Sequence, residues 1–264
     1  VPLIRGDLVV VRGAGDLGTG CVIRLVRAGF RVVVLEVASP TAIRRTVSLS
    51  ESVYDGEAVV EGVRAVRAER VSAAWTPGDL VPVLVDPDGR EVGRLGPVAL
   101  VDAIIAKRNL ETHLGMAPVV VALGPGFEAG RDAHAVVETN RGHDLGRVIL
   151  RGSAEPDTGR PGLVAGEGAS RVLHAPAAGP VELFREIGDR VEKGEALLSI
   201  GGVPVRSNLA GVVRGLIRPG FEAWTGLKVA DVDPSFAKER CSSVSDKARA
   251  VAGGVLEAIL SLAP

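Results

Sequence analysis

The run VVVRGAGDLGTG places Gly13, Gly15 and Gly18 at G-x-G-x-x-G spacing, directly after an apolar stretch and at the opening of a helical one. Glycines so placed let a chain turn sharply and bring backbone amides up to a phosphate at a helix N-terminus. Glu36 closes the next apolar run about twenty residues on, where a carboxylate can accept hydrogen bonds from a ribose. Asp16 lies inside the loop, able either to cap the helix or to compete with a diphosphate for the same amides. The chemistry implied is binding of a nucleotide or phosphorylated cofactor; the alternative is a tight turn capped by Asp16.

Two further clusters follow apolar runs. In DAIIAKRN, Asp102–Asn109, Lys107 and Asn109 could face an anionic ligand or form a polar cap on a buried strand. In ALGPGFEAGRDAHAVVETNRGHDLGR, Gly124 and Gly126 turn the chain after one run, and Asn140, Arg141, His143 and Asp144 follow the next. Arg141 suits bidentate binding of a carboxylate or phosphate, and His143 with Asp144 suits acid–base chemistry. His134, Glu138 and His143 offer metal-ligand atoms, but strand geometry spreads them too widely for a tight centre, and no metal is assigned. Cys241 precedes a helical stretch whose dipole could lower a thiol pKa, which suits a nucleophilic or sulfur-handling role; the alternative is a buried structural cysteine, and exposure decides between them. Cys21 falls within the first helical stretch and is expected to pack.

These residues need a scaffold, and the patterning supplies one. Apolar runs at Leu8–Arg12, Arg31–Glu36, Val81–Val85, Val98–Ile104, Val119–Leu123 and Ala133–Glu138 predict strands, and Asp16–Ala28 carries a helical apolar face ending at Gly29. Residues 46–70 predict an inserted hairpin or an irregular connection, and the Gly- and Pro-rich stretch 152–170 a linker or ordered loop. Beyond it Gly179, Gly188 and Gly194 recur as Gly211, Gly220 and Gly226, each pair thirty-two residues apart. This predicts two copies of one strand–turn–strand unit about a pseudo-twofold axis. The phrases APAAG and IGDRVEKGE resemble the biotinyl/lipoyl-like barrel-sandwich fold, though Ser199–Asn208, where a carrier lysine would stand, holds none. A last amphipathic helix is expected over Asp246–Leu262, with Ser245 as its N-cap.

The expected fold class is therefore α/β: a Rossmann-like, mostly parallel sheet domain over 1–165, a small barrel-sandwich domain over 166–234, and a C-terminal helical segment, 235–264, docking on the core. With 31 basic and 32 acidic residues there is no broad electrostatic pull toward nucleic acid or an anionic membrane. The two cysteines make no C-x-x-C pair, and no apolar run has the length of a membrane span, so a cytoplasmic protein is expected. Oligomeric state is not encoded legibly.

The phrases RGAGDLGTG, SPTAIRRTVSLSESVYDGE, DAIIAKRN, LGPGFEAG, VVETNRGHDLGRV, RGLIRPG, KVADVDP and CSSVSDKARAVAGGVLEA together resemble the YqeB family of selenium-dependent molybdenum hydroxylase system proteins. The resemblance implies an accessory protein that matures a molybdenum hydroxylase, its client partner, and a ligand that is molybdenum cofactor, possibly in its dinucleotide form, or another nucleotide. NAD is a less favoured ligand. The alternatives are an NAD-dependent oxidoreductase and a selenium or sulfur transfer protein using Cys241.

Overall fold

The structure is a computed structural model describing residues 6–71, 75, 80–159, 162 and 166–263. Residues 160, 161 and 163–165 of the expected linker lie outside the described residues, as does the boundary expected after 165. The chain divides into two compact units, one of Val1–Pro40, Ser48–Thr158 and Val244–Pro264, the other of Thr41–Val47 and Gly159–Ser243.

Valine-rich runs build the first unit because β-branched side chains suit a pleated surface covered on both faces. Strands β1 (Leu8–Arg12), β2 (Arg31–Glu36), β3 (Glu57–Val60), β4 (Val63–Arg67), β5 (Leu80–Val85), β6 (Ala99–Asp102), β7 (Val119–Leu123), β8 (Ala135–Val137) and β9 (Val148–Ile149) form one sheet in the order β3-β4-β5-β2-β1-β6-β7-β8-β9. Every residue of β1 and β7 is buried. Val10, Val33, Leu35, Leu84, Leu100, Val120 and Val136 join one core cluster, and each fully buried Val or Leu contributes roughly 1.5–3 kcal/mol. Helix α1 (Asp16–Arg27) buries Cys21, Val22, Ile23 and Leu25. It packs along the C-terminal helix, with Gly20 so close to Ala248 that an added Cβ would lie 2.9 Å from the alanine methyl. Two one-turn helices, α2 (Ser52–Asp55) and α3 (Val92–Leu95), precede the long last helix α4 (Asp246–Leu262), whose Ser245 cap accepts a hydrogen bond from the Ala248 amide at 3.1 Å.

The Rossmann-like expectation is corrected by this connectivity. The sheet is mixed, since β3–β4 and β8–β9 are antiparallel pairs. Among the described residues only the β1–β2 crossover carries a helix longer than one turn; β5–β6 is joined through α3, and β6–β7 through a 3-10 turn. The β6–β7 connection, residues 103–118, has the length for a helix but carries only a 3-10 turn, and α4, from the far end of the sequence, packs against β7 and β8. The 46–70 region does hold a hairpin, β3–β4, turning at Glu61 and Gly62 with φ of 47° and 86°, the conformation that two-residue hairpin turns require.

In the second unit, β10 (Val172–His174), β11 (Gly179–Leu183), β12 (Arg190–Val191), β13 (Ala196–Ile200), β14 (Val203–Arg206), β15 (Gly211–Leu216), β16 (Glu222–Ala223) and β17 (Lys228–Asp233) follow the predicted repeat. The equivalent turn glycines share positive φ: Gly188 and Gly220 at 99° and 73°, Gly194 and Gly226 at 88° and 86°. The strands form two four-stranded antiparallel sheets, β10-β17-β15-β12 and β14-β13-β11-β16, rather than the expected barrel-sandwich. Each sheet takes two long strands from one copy and the first and short strands of the other, since β10 and β12 flank β17 and β15 while β14 and β16 flank β13 and β11. Neither copy could bury its apolar face alone. The core is completed by Ile43 from much earlier in the chain, whose carbonyl accepts the Leu216 amide at 2.8 Å.

Candidate functional site

In the first unit the parallel strands end together. Arg12 stands opposite Leu35 on one side of β1 and Asp102 on the other, and Glu36 stands opposite Val85 of β5. The chain passes from β1 to β2 on one side, and the sheet continues through β6 on the other. Strand order therefore reverses at β1, where open α/β sheets leave a crevice outside their carboxyl ends. A cleft of about 300 Å³ lies there, lined by Arg12, Gly13, Leu35, Glu36, Val37, Asp86, Pro87, Asp88, Ile104, Leu110 and Glu111.

The three loop glycines differ in what holds them. Gly13 has φ of 88°, and a Cβ on it would sit 3.0 Å from the Ala103 carbonyl oxygen. A Cβ on Gly18 would be driven into the Gly13 carbonyl, lying 3.0 Å even from its carbon. Local packing thus requires both. Gly15, the N-cap of α1, has an ordinary φ of −66°, and a Cβ there would meet nothing within 4 Å. Its missing side chain leaves space over the loop. Gly15 makes no side-chain cap, and Asp16 occupies the first turn, where its charge acts on Arg141.

Glu36 is turned onto the loop. Its Oε2 accepts the Ala14 amide at 2.8 Å and its Oε1 the Val37 amide at 2.8 Å. Burial raises its pKa against the lowering effect of these two amides. Asp86 accepts the Arg90 amide at 3.1 Å and the Glu91 amide at 2.8 Å, shaping the turn after β5.

Beneath the cleft lies a network that the motifs did not announce. Arg12, Asp102 and Thr112 are all nearly inaccessible. Arg12 Nη1 donates to Thr112 Oγ1 at 2.6 Å and to the Leu110 carbonyl at 3.2 Å, and its Nη2 donates to the Pro87 carbonyl at 2.9 Å. The Thr112 hydroxyl donates to Asp102 Oδ2 at 2.6 Å, and the Asp102 and Arg12 charges lie 3.6 Å apart. Burial raises Asp102, more than Thr112, the Ile104 amide and Arg12 lower it. Asn109 brackets Thr112, donating to its carbonyl and accepting its amide, each at 2.8 Å. One signal for this network was in the sequence: Arg12 and Asp102 each end an all-apolar strand with a charge.

The other expected residues fall at the ends of β6, β7 and β8. A Cβ on Gly126 would lie 2.6 Å from the Arg108 backbone, and one on Gly124 2.5 Å from Thr139 Oγ1, so close packing occupies both glycines. Lys107 Nζ pairs with Asp157 at 2.7 Å. Arg141 grips Asp246 at the start of α4 through two bonds of 2.8 Å; that hydrogen bond first, then the Asp246 and Asp16 charges, raise its pKa against desolvation. Asn140 donates its amide to Glu138 Oε1 at 2.7 Å and its side chain to Glu155. His143 is exposed, and Asp144 pairs with Arg147 at 3.1 Å. Neither lines the cleft. The cations expected at a phosphate are therefore engaged by carboxylates of this chain.

Cys241 departs from the expectation of an activated thiol. It ends a 3-10 turn, Lys238–Cys241, in the second unit, is buried, and points its Sγ at the Val213 carbonyl 3.6 Å away. Burial pushes its pKa up, outweighing the nearby Arg44 and Arg214. Cys21, fully enclosed, is pushed up to about 12. Among the described residues no group of three or more His, Cys, Asp or Glu side chains could hold a metal ion, and no helix is long and apolar enough to cross a membrane.

No protein-family model matches the chain. It is 49% identical over 258 residues to the "Uncharacterized protein YqeB" of Escherichia coli (strain K12), an alignment covering 97% of this chain and 48% of that protein. The chain thus spans about half the length of the curated relative it matches. Among solved structures, the product-bound ectoine utilization protein EutE (DoeB) from Ruegeria pomeroyi is similar at 14% identity, covering 88% of this chain and 86% of that one, with a TM-score of 0.27. A succinylglutamate desuccinylase/aspartoacylase from Rhodobacter sphaeroides is similar at 16% identity, covering 86% and 85%, with a TM-score of 0.29.

The expected function is corrected by the residues assigned to it. In the structure itself, Lys107 and Arg141 are paired with carboxylates and Cys241 is a buried thiol of raised pKa. The chain is thus similar to about half of YqeB, at 49% identity along nearly its own whole length.

Proposed function

We propose that the first unit binds a small molecule bearing vicinal hydroxyls and a flat or apolar group, the chemistry of a ribonucleoside, in the crevice over Glu36. One observation carries this: the Glu36 carboxylate stands beside apolar groups, Leu35 and Val37 on the β2 side of β1 and Ile104 and Leu110 on the β6 side, in a cleft that Asp86, Asp88 and Glu111 also line. Each Glu36 oxygen accepts one backbone amide and keeps a lone pair for a ligand hydroxyl. The open space over Gly15 leaves room for the remainder of such a molecule.

Calorimetric titration with ribonucleosides, their 2′-deoxy counterparts, simple polyols and inorganic phosphate tests the proposal on wild type and Glu36→Gln. A hydrogen bond to a charged group is worth about 1.5–3 kcal/mol, so loss of the charge or of the 2′-hydroxyl should weaken ribonucleoside binding about tenfold or more. Equal affinities for ribo and deoxy forms, or for wild type and variant, would refute it.

A further inference from the structure

Residues Ile105, Lys107 and Glu111 have φ of 59°, 61° and 65°. They are three of the five non-glycine residues with positive φ among those described, and all lie in the seven residues that follow the β6 end of the crevice. A left-handed conformation is unfavourable for any side chain and most unusual for a β-branched one such as Ile105. Something must hold the segment there. Its two ends, Ile104 and Leu110–Glu111, line the cleft, and the Arg12–Thr112–Asp102 network grips it at Leu110 and Thr112.

We infer that Ile105–Glu111 is a strap along one wall of the crevice, latched closed by Thr112, with Arg12 as the positioning residue that ties the strap to the opposite wall at Pro87. The guanidinium can do this because its fork reaches two walls at once, Leu110 and Thr112 through Nη1 and Pro87 through Nη2. The Thr112 hydroxyl is both acceptor from Arg12 and donor to Asp102, so its removal leaves two buried charged groups short of a partner. Backbone strain then favours the open segment. The strap's purpose rests on the ligand-binding proposal above; its existence does not.

Hydrogen exchange followed by mass spectrometry, without any ligand, separates the two. In Thr112→Val, which keeps the shape and loses the hydroxyl, amides of 104–112 should exchange about tenfold faster or more, while β1 and β6 keep their protection. Thr112→Ser should restore wild-type exchange, and Asn109→Ala should give a smaller acceleration in the same segment. Ile105→Gly, which relieves the left-handed strain, should slow exchange there. Equal exchange in the Val and Ser variants would overturn the latch, and so would loss of protection spread evenly over the sheet. If exchange behaves as expected but no ribonucleoside binds, the strap stands and the ligand proposal fails.

Discussion

Gly15 caps α1 and Gly18 lies three residues on in its first turn, yet alanine should destabilise at one and not at the other. At Gly18 the added methyl meets the Gly13 carbonyl and lies 3.3 Å from the Ala103 methyl, and Gly13 is tied in place by its amide, which donates to the Leu35 carbonyl at 2.8 Å. Overpacking costs typically 1–3 kcal/mol, and a backbone obstacle puts this case at or above about 3 kcal/mol. For a unit of this size that is a fall in melting temperature of roughly 6–12 °C. At Gly15 the methyl enters open space at an allowed φ. A gain of about 0.4–1 kcal/mol from the stiffer unfolded chain then opposes an N-cap penalty of similar size, so stability should hold within roughly 1 kcal/mol. Calorimetric melting of both variants, with ribonucleoside titration of Gly15→Ala, gives the comparison. Gly15→Ala should melt like wild type and bind more weakly. The reasoning fails if the two variants melt alike, or if Gly15→Ala binds as wild type does.

Two further predictions concern stability. Glu36 and Asp102 have pKa values raised by burial, so their contribution is fully present below the ordinary carboxylate range near ~4 and is lost as pH rises through the raised values. Gln mimics the protonated acid. The melting temperature of Glu36→Gln relative to wild type should therefore climb as pH is raised from 4 to 8, and a flat or falling difference contradicts the burial argument. In the second unit, Arg171 Nη2 contacts both oxygens of Asp231 at 2.8 and 2.9 Å, with both side chains buried. Arg171→Met should cost about 3–5 kcal/mol in urea unfolding, most of it recovered in the double variant with Asp231→Leu. A single-variant cost below about 1 kcal/mol would show that the pair is solvated.

Strand positions in the first unit were legible because valine runs buried on both faces leave little else for the chain to do. The thirty-two-residue repeat was legible because two of its three glycine pairs, Gly188 with Gly220 and Gly194 with Gly226, need positive φ, a demand written into residue type, while Gly211 in β15 is required by close packing on Asp233. Fold class was not. Which connections carry helices depends on segment length and on what else can cover the sheet, and α4 fills that place from the end of the chain. Glu36 and the glycine loop stood out by spacing, whereas Arg12 and Thr112 are single polar residues whose roles arise only when the ends of β1 and β6 come side by side. Cys241 shows the converse. Its local sequence suggested a helix dipole, and burial reversed the sign of the shift.

Ile43 gives the second unit an unusual assembly history. The segment Thr41–Val47 leaves the ribosome early, but its pairing partner Leu216 is made only when most of the chain has emerged. Such a long-range closure is entropically late and slow. The chain also passes between the units four times, after Pro40, before Ser48, after Thr158 and before Val244. One protease cut in any of these passages would leave the units covalently joined. A fragment cut to Gly159–Ser243 would present the Gly215–Leu216 edge without its Ile43 cover.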